Sequence, residues 1–464
     1  MTLIKSISGI RGTIGGPSGS NLTPFDIIEL TSAFTVLIRE LSCKERLTIV
    51  VGRDARISGD IVSAIVCGTL CSSGVDVIDI GLSTTPTTEM AVVAHHADGG
   101  IIITASHNPM QWNALKLLNS SGEFISAADG KRLLDIAKGV HRFEYADVQH
   151  LGKHLHDNNA IQQHIDTILA LPLVNMDAIQ KAHFRIIIDA INSTGAISIP
   201  PLLKQLGVEE ITVLNKEMNG IFRHAPEPIP ENLTDIADTM RQDGHYDLGI
   251  VVDPDVDRLA LLQEDGTMFG EEYTLVAVAD YILMHEKGNT VSNLSSSRAL
   301  RDVSEQHGVS YQASAVGEVN VVEKMKETNA IIGGEGNGGV IFPALHYGRD
   351  ALVGVALFLS HLATAKCKCS ELRQRYPEYH ISKNKIELND NINTHDLLDK
   401  IEEHFILESV NRVDGVKIDF ANSWAHIRSS NTEPILRIYT EAHSKEEADQ
   451  LASSIKSYIQ KCIQ

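Results

Sequence analysis

The sequence predicts four domains: three α/β domains in which apolar strands alternate with helices, and a C-terminal α+β domain. Three observations predict it. One strand–helix rhythm recurs three times between residues 23 and 365. Its strands are short, nearly continuous runs of Val, Ile and Leu, the pattern of sheets covered by helices on both faces. From about Ser370 the order changes to a helix, three strands and a last helix. The 464 residues, at roughly 150 per domain, account for about three domains, and the changed rhythm of the tail adds the fourth. The expected boundaries are 1–150, 151–257, 258–370 and 371–464.

In the first segment Thr23 caps and Pro24 opens a helix over 24–41. A strand at 47–52, a helix over 59–73 closed by Gly74, a strand at 75–81 and a helix around 87–96 lead to "GIIITAS" at 100–106. The second segment begins with "FRIIIDA" at 184. It continues with a helix near 197–206, the strand "EITVLN", a helix near 231–242 and the strand "DLGIVVD". The third opens with a helix over 271–285 and the strand "NTVSNLS". Helices at 297–306 and 318–327, the strand "AIIGG" and a helix over 351–365 follow. The tail carries a helix near 394–407, the strands "GVKIDFA", "WAHIRSS" and "ILRIYTEA", and a helix from 444.

A chain 43% hydrophobic and 22% charged can bury ordinary globular cores. Its net charge of −20 argues against a general nucleic-acid or anionic-membrane surface, which needs clustered Lys and Arg. A small phosphorylated substrate remains compatible, because a few placed arginines suffice. No apolar run approaches the ~20 residues of a membrane span, and "MTLIKSISGIRG" lacks the apolar core of a signal peptide. Cys43, Cys67, Cys71, Cys367, Cys369 and Cys462 are sparse for this length and are expected as reduced thiols in a cytoplasmic protein.

Four loops carry chemistry. "TASHNP" places Ser106 just past a strand end, where α/β sheets present ligands. Without the G-x-S-x-G elbow, acyl transfer is disfavoured; Ser, Asn and Pro are also ordinary turn residues. "DPDVDR" alternates Asp253, Asp255 and Asp257, which face one way if the backbone stays extended and then suit a hard divalent ion. Glu264 stands at the twelfth place as in an EF-hand, but Arg258 occupies the glycine position and strands flank the run, so that reading is disfavoured. "GGEGNGG" matches the dinucleotide fingerprint formally, yet runs into Val340-Ile341-Phe342-Pro343 rather than a helix. Its Glu335 and Asn337 suit a polyhydroxylated ligand. "RSSNTEP" sets Arg428, Ser429, Ser430, Asn431 and Thr432 between two strands, a phosphate cradle or an ordinary polar turn.

Taken in this order, the loops resemble the α-D-phosphohexomutase family from "GIRG" (9–12) to the C-terminal strand pair. "TASHNP" is similar to its phosphoserine loop, "DPDVDR" to its magnesium loop, "GEGNGG" to its sugar loop and "RSSNTEP" to its phosphate loop. "EPIPENL" (227–233) is another family-like stretch. The resemblance implies four domains around a central cleft, the first three sharing one α/β topology with mixed sheets. It implies phosphoryl transfer through Ser106 and a hexose 1,6-bisphosphate, which also serves as activator. Mg2+ would lie on Ser106, Asp253, Asp255 and Asp257. His107, Lys116 and Arg11 match catalytic motif positions, and Arg258 is expected to steady the serine loop or a phosphate. Glu335 and Asn337 would meet the sugar, with Arg428, Ser430, Asn431 and Thr432 on the distal phosphate.

Asn337 and Gly339 replace the Ser and His usual in the sugar loop, and Asn431 stands where many members have Gly. Gly339, where others place His, is expected to leave more room or a water near the sugar. The whole pattern looks most like archaeal-type phosphoglucosamine mutases, with phosphomannomutase/phosphoglucomutase as the alternative. The implied partner is a small phosphosugar acted on by a monomer or homodimer. A non-catalytic sugar-phosphate sensor and a metal-dependent phosphatase are the readings from other classes.

Overall fold

The computed structural model describes residues 2–6, 9–140, 143–388, 392–429 and 435–463. The chain divides into two compact units. One comprises residues 1–274 with 337–372, the other 275–336 with 373–464.

The first unit holds two mixed sheets. The seven-stranded sheet runs Ile4–Ser6, Gly9–Thr13, Trp112–Leu118, Gly99–Ile103, Thr48–Arg53, Asp76–Leu82 and His154–His156. Its last four strands are parallel, and Trp112–Leu118 turns the edge antiparallel. Ile101 and Ile103 pack with Phe34, Leu37 and Val66 on one face, while Ile102 packs with Val92 and Leu118 on the other. Burial on both faces explains the unbroken apolar run, each such side chain contributing about 1.5–3 kcal/mol. Helix Pro24–Ser42 begins where expected, with the Asp26 carboxylate accepting the Thr23 N–H at 3.1 Å.

The second sheet of this unit is ordered Leu259–Leu262, Leu248–Val252, Arg185–Asp189 and Glu210–Leu214. Leu248–Val252 lies parallel to Arg185–Asp189 and antiparallel to Leu259–Leu262. The hairpin bearing the three aspartates therefore runs through the boundary expected at 257. Helix Ala351–Ala365 is buried on nearly every side, from Ala351 through Ala363, as its all-round apolar sequence requires.

In the second unit, Tyr311–Ser314, Asn289–Asn293 and Ala330–Glu335 form parallel neighbours. The C-terminal sheet is wholly antiparallel, ordered His380–Glu387, Ile435–Ala442, Trp424–Ser429, Val416–Asp419 and Ser409–Asn411. Helices Thr394–His404 and Lys445–Ile463 supply Leu397, Ile401, Ile455 and Ile459 to its core. This is the α+β domain that the tail predicts. None of the six cysteines is joined in a disulfide, and no described helix is long and apolar enough to cross a membrane.

Candidate active site

Strand Gly99–Ile103 is buried throughout and stops at Thr104. The Thr104 hydroxyl donates to Asp54 Oδ2 at 2.6 Å and accepts the Ser106 N–H at 2.9 Å. The chain then turns through Ser106 at φ 47°, a left-handed conformation costing a non-glycine residue about 1–2 kcal/mol. Arg56 holds this turn from behind. It is 1% exposed, pairs with Asp54 at 3.1 Å, and donates to the carbonyl oxygens of Asn108 (2.6 Å), Pro109 (2.8 Å), Trp112 (2.9 Å) and Ser106. One guanidinium thus satisfies several backbone acceptors of the loop at once, the Pro109 carbonyl also accepting the Trp112 N–H at 3.0 Å.

Ser106 Oγ donates to Asp253 Oδ2 at 2.6 Å and lies 3.3 Å from His107 Nδ1. Asp253, Asp255 and Asp257 are fully buried. The alternation argument required an extended backbone, and the loop is not extended. Val256 sits at φ 61°, and Asp253 Oδ1 accepts the N–H groups of Asp257 and Arg258 at 3.2 Å each. The segment folds over its own first carboxylate, yet one oxygen from each aspartate lies within 4.8 Å of the others.

Cations and donors surround these carboxylates. Lys116 Nζ, on strand Trp112–Leu118, is 2.7 Å from Asp255 Oδ2 and 3.3 Å from Asp257 Oδ2. Thr85 donates its hydroxyl to Asp255 Oδ2 at 2.5 Å and its N–H to the Asp255 carbonyl at 2.8 Å. Arg349 Nη2 donates to Asp257 Oδ2 at 2.8 Å. Two buried oxygens, Asp255 Oδ1 and Asp257 Oδ1, accept no hydrogen bond among the described residues. Burial and the charges of Asp257 and Asp255 push the Asp253 carboxyl well above its usual range. Hard oxygen donors, crowded and incompletely partnered, fit a divalent cation.

Burial opposes ionisation of Asp257, but Arg349, Lys116 and Arg258 hold it below the usual carboxylate range. Burial likewise works against the Lys116 ammonium, and Asp255 and Asp257 outweigh it, so Lys116 stays protonated. His107 is pushed down to about 2, first by burial and then by Arg258, Arg11 and Arg349; its imidazole is neutral. Arg11 lies on strand Gly9–Thr13, in register with Ala114. Arg258 bonds Glu227 Oε1 at 3.4 Å, in the "EPIPENL" stretch.

The structure therefore gathers Ser106, His107, Lys116, Asp253, Asp255, Asp257, Arg258 and Arg11 in one unit. Asn337 belongs to that unit, its Oδ1 accepting the Gly339 N–H at 3.2 Å. Glu335 lies in the other unit, where Oε1 accepts from Asn293 Nδ2 at 2.9 Å and from the Gly317 N–H at 3.1 Å. In that unit Arg428, on strand Trp424–Ser429, reaches Asp414 Oδ2 at 3.4 Å. Ser430, Asn431 and Thr432 lie outside the described residues.

One expectation is overturned. Gly339 does not leave room, because a Cβ there would stand 2.3 Å from Arg349 Cδ. Glu264, the twelfth residue of the disfavoured EF-hand, bonds Ser370 through Oε1 at 2.5 Å and Oε2 at 3.1 Å. A cleft of about 1220 Å³ lined by Lys181, Arg185, Asp247, Lys366 and Cys369 contains none of the site residues. Sequence reasoning missed Arg56, Thr85 and Arg349. Their signals were charge or hydroxyl directly flanking apolar elements: "VGRDAR" after a buried strand, "STTPTT" opening a helix, and "GRDA" before the most apolar helix of the chain.

Comparison with known proteins shows the family. Models of the phosphoglucomutase/phosphomannomutase family match in four parts: α/β/α domain I over residues 3–142, α/β/α domain II over 162–266, α/β/α domain III over 270–379 and the C-terminal domain over 385–457. The chain belongs to this family of phosphohexomutases, isomerases that act as phosphotransferases. A phosphoglucomutase/phosphomannomutase of Thermococcus kodakarensis is 33% identical, covering 94% of this chain and 95% of its own. A probable phosphoglucosamine mutase of Methanopyrus kandleri is 32% identical, covering 90% and 91%. Among solved structures, a phosphoglucomutase/phosphomannomutase family protein of Burkholderia thailandensis shares the fold with a TM-score of 0.83 at 24% identity, over 99% of this chain and 97% of that one.

Proposed function

We propose that this phosphohexomutase interconverts the 6- and 1-phosphates of a hexose through a phosphoryl group carried on Ser106, with glucosamine phosphate as preferred substrate. The observation that carries the reading is Ser106 Oγ in a left-handed loop, 2.6 Å from Asp253 Oδ2 and beside two incompletely partnered carboxylates. A hydroxyl of the sugar monophosphate attacks phosphorus; its bond to Ser106 Oγ breaks, and a hexose 1,6-bisphosphate forms. After the bisphosphate turns over, Ser106 Oγ takes the other phosphoryl group and product leaves.

Asp253, Asp255 and Asp257, with an oxygen on Ser106, would hold Mg2+. When bound, that ion neutralises charge on the transferring phosphoryl oxygens. His107 Nδ1, 3.3 Å from Ser106 Oγ, is within reach of the proton that leaves or joins it. Lys116 and Arg258 bring positive charge to the phosphoryl group, and the charge of Arg11 also acts on His107. Glu335 and Asn337 take sugar hydroxyls, and Arg428, Ser430, Asn431 and Thr432 take the distal phosphate. The bisphosphate serves as activator, and the enzyme works in the cytoplasm as a monomer or homodimer.

Preference for the amino sugar rests on Glu335, the only acid of its loop. A carboxylate meeting a C2 ammonium makes a charge-assisted hydrogen bond, roughly twice as strong as a neutral one. The test is a panel of glucosamine, glucose and mannose 1-phosphates, each with its 1,6-bisphosphate and Mg2+. The expected kcat/KM for glucosamine phosphate exceeds that for mannose phosphate at least about tenfold, ~1.4 kcal/mol of discrimination. Equal or reversed values would turn the reading to phosphomannomutase/phosphoglucomutase. Phosphate release matching isomerisation would turn it to a phosphatase, and no turnover to a sensor.

A further inference from the structure

Gly339 lacks the left-handed backbone that would by itself call for glycine; space is what forbids a side chain there. A Cβ on residue 339 would stand 2.3 Å from Arg349 Cδ and 3.0 Å from its Cγ. The stem of Arg349 cannot simply swing away, because Nη2 is bonded to Asp257 Oδ2 at 2.8 Å. The path of that stem is fixed at both ends. Ile341 and Arg349 form an antiparallel bridge, and Asp350 caps helix Ala351–Ala365 by accepting the Leu352 and Val353 N–H groups.

The same short segment grips the aspartate loop at further points. The Ala351 N–H donates to the carbonyl of Val256 at 3.2 Å, and the Leu259 N–H donates to the carbonyl of Gly338 at 3.1 Å. Gly338 presses so closely that a Cβ would lie 2.2 Å from the Leu259 carbonyl oxygen. Arg349 is thus the charged end of a clasp that closes on Val256, Asp257 and Leu259 together. Of the Asp257 oxygens it occupies Oδ2, which Lys116 also approaches at 3.3 Å, while Oδ1 accepts no hydrogen bond among the described residues.

We propose that Arg349 is a positioning residue of this mutase: it holds Asp257 by one oxygen so that the other is presented to the cation, and Gly339 is glycine to let its stem pass. The inference rests on the phosphohexomutase reading for its functional part. Its steric part rests on the fold alone. An outer partner of this kind usually accounts for about 10–100-fold in metal affinity.

The test uses the full-length enzyme, with Mn2+ as the metal probe followed by paramagnetic resonance, and thermal melting. Arg349→Met keeps the stem and removes the guanidinium. It is expected to weaken Mn2+ binding about tenfold or more and to lower kcat by a similar factor. KM for the phosphosugar should stay within about twofold, since Arg349 acts through Asp257 and not on the substrate; Arg349→Lys should recover part of the loss. Gly339→Ala is expected to lower Tm by about 3 °C or more through overpacking, and to lower it much less in an Arg349→Ala background. Wild-type or tighter Mn2+ binding by Arg349→Met, or the same melting penalty for Gly339→Ala in both backgrounds, overturns the inference. The two deciding readouts, Mn2+ binding and melting, do not use isomerisation. Failure of the wild type to form sugar 1-phosphate would sink the mutase reading without touching these results.

Discussion

Arg56 and Ser106 are joined through the backbone: the guanidinium of Arg56 donates to the carbonyl oxygen of Ser106, while Nε pairs with the buried Asp54 at 3.1 Å. The turn that sets Ser106 against Asp253 is held by a side chain that itself meets almost no solvent. Arg56→Met should leave Asp54 buried without its cation, a loss of about 3–5 kcal/mol, and let the turn relax. Urea unfolding should show a lower midpoint, and kcat should fall more than KM rises. A variant as stable and active as wild type would contradict this account.

Ser106→Ala removes the phosphoryl acceptor and should lower turnover by several orders of magnitude, as expected for covalent catalysis. Intact-mass measurement of the wild type should reveal a phosphate adduct absent from the variant. An alanine variant with full activity would end the phosphoserine mechanism.

Chelation should abolish activity without unfolding the chain. Lys116 and Arg349 sit 2.7 Å and 2.8 Å from Asp255 and Asp257, so the loop keeps counter-charges of its own. Activity should return with added Mg2+, and far-ultraviolet circular dichroism should not change on chelation. Asp255→Asn should lower kcat far more than it shifts the melting curve. Full speed in chelator would refute the role given to the three aspartates.

His346 lies between Glu89 Oε2 at 3.3 Å and Asp350 Oδ2 at 3.2 Å, with His164 also on Asp350 at 2.9 Å. Burial disfavours its charge, but Asp350 and Glu89 prevail and raise His346 to about 10. Because the folded value exceeds the unfolded one of about 6.5, its contribution to stability is complete below that pH. It is then lost as pH rises towards 10. Asp350 behaves oppositely: held low against burial by His164 and His346, its contribution is lost only in acid. Denaturation midpoints should decline between pH 6.5 and 10, and His346→Gln should flatten that decline. An unchanged slope in the variant would show that another group is responsible.

The core of the site was legible because its chemistry is local. Ser106 follows its strand within three residues, and the aspartates share one five-residue run. Arg349 acts on a residue 92 positions away, and nothing in "GRDA" says where its guanidinium goes. Gly339 shows the same limit from the other side: an absent side chain reads as space, whereas the fold fills it from ten residues downstream. Helices Glu271–His285 and Ala351–Ala365 begin and end as the sequence predicts. The helices Ala160–Leu169 and Met176–Ala182 escaped because they are short, although Ala160, His164, Ile165 and Ile168 of the first share one buried face. Strand His380–Glu387 escaped because it is a polar edge whose side chains are exposed or half-buried. Alternation in "DPDVDR" pointed to a real cluster by a mistaken route, since the loop folds back rather than extending.

The left-handed Ser106 has a consequence for directed evolution. Glycine or asparagine would sit at φ 47° with less strain, so a library screened only for heat resistance should enrich those residues at position 106. Such winners would be durable and inert, because the relaxed residue has no hydroxyl. Breeding this enzyme for robustness needs a turnover screen beside the thermal one, and position 106 is where the two screens should disagree most sharply.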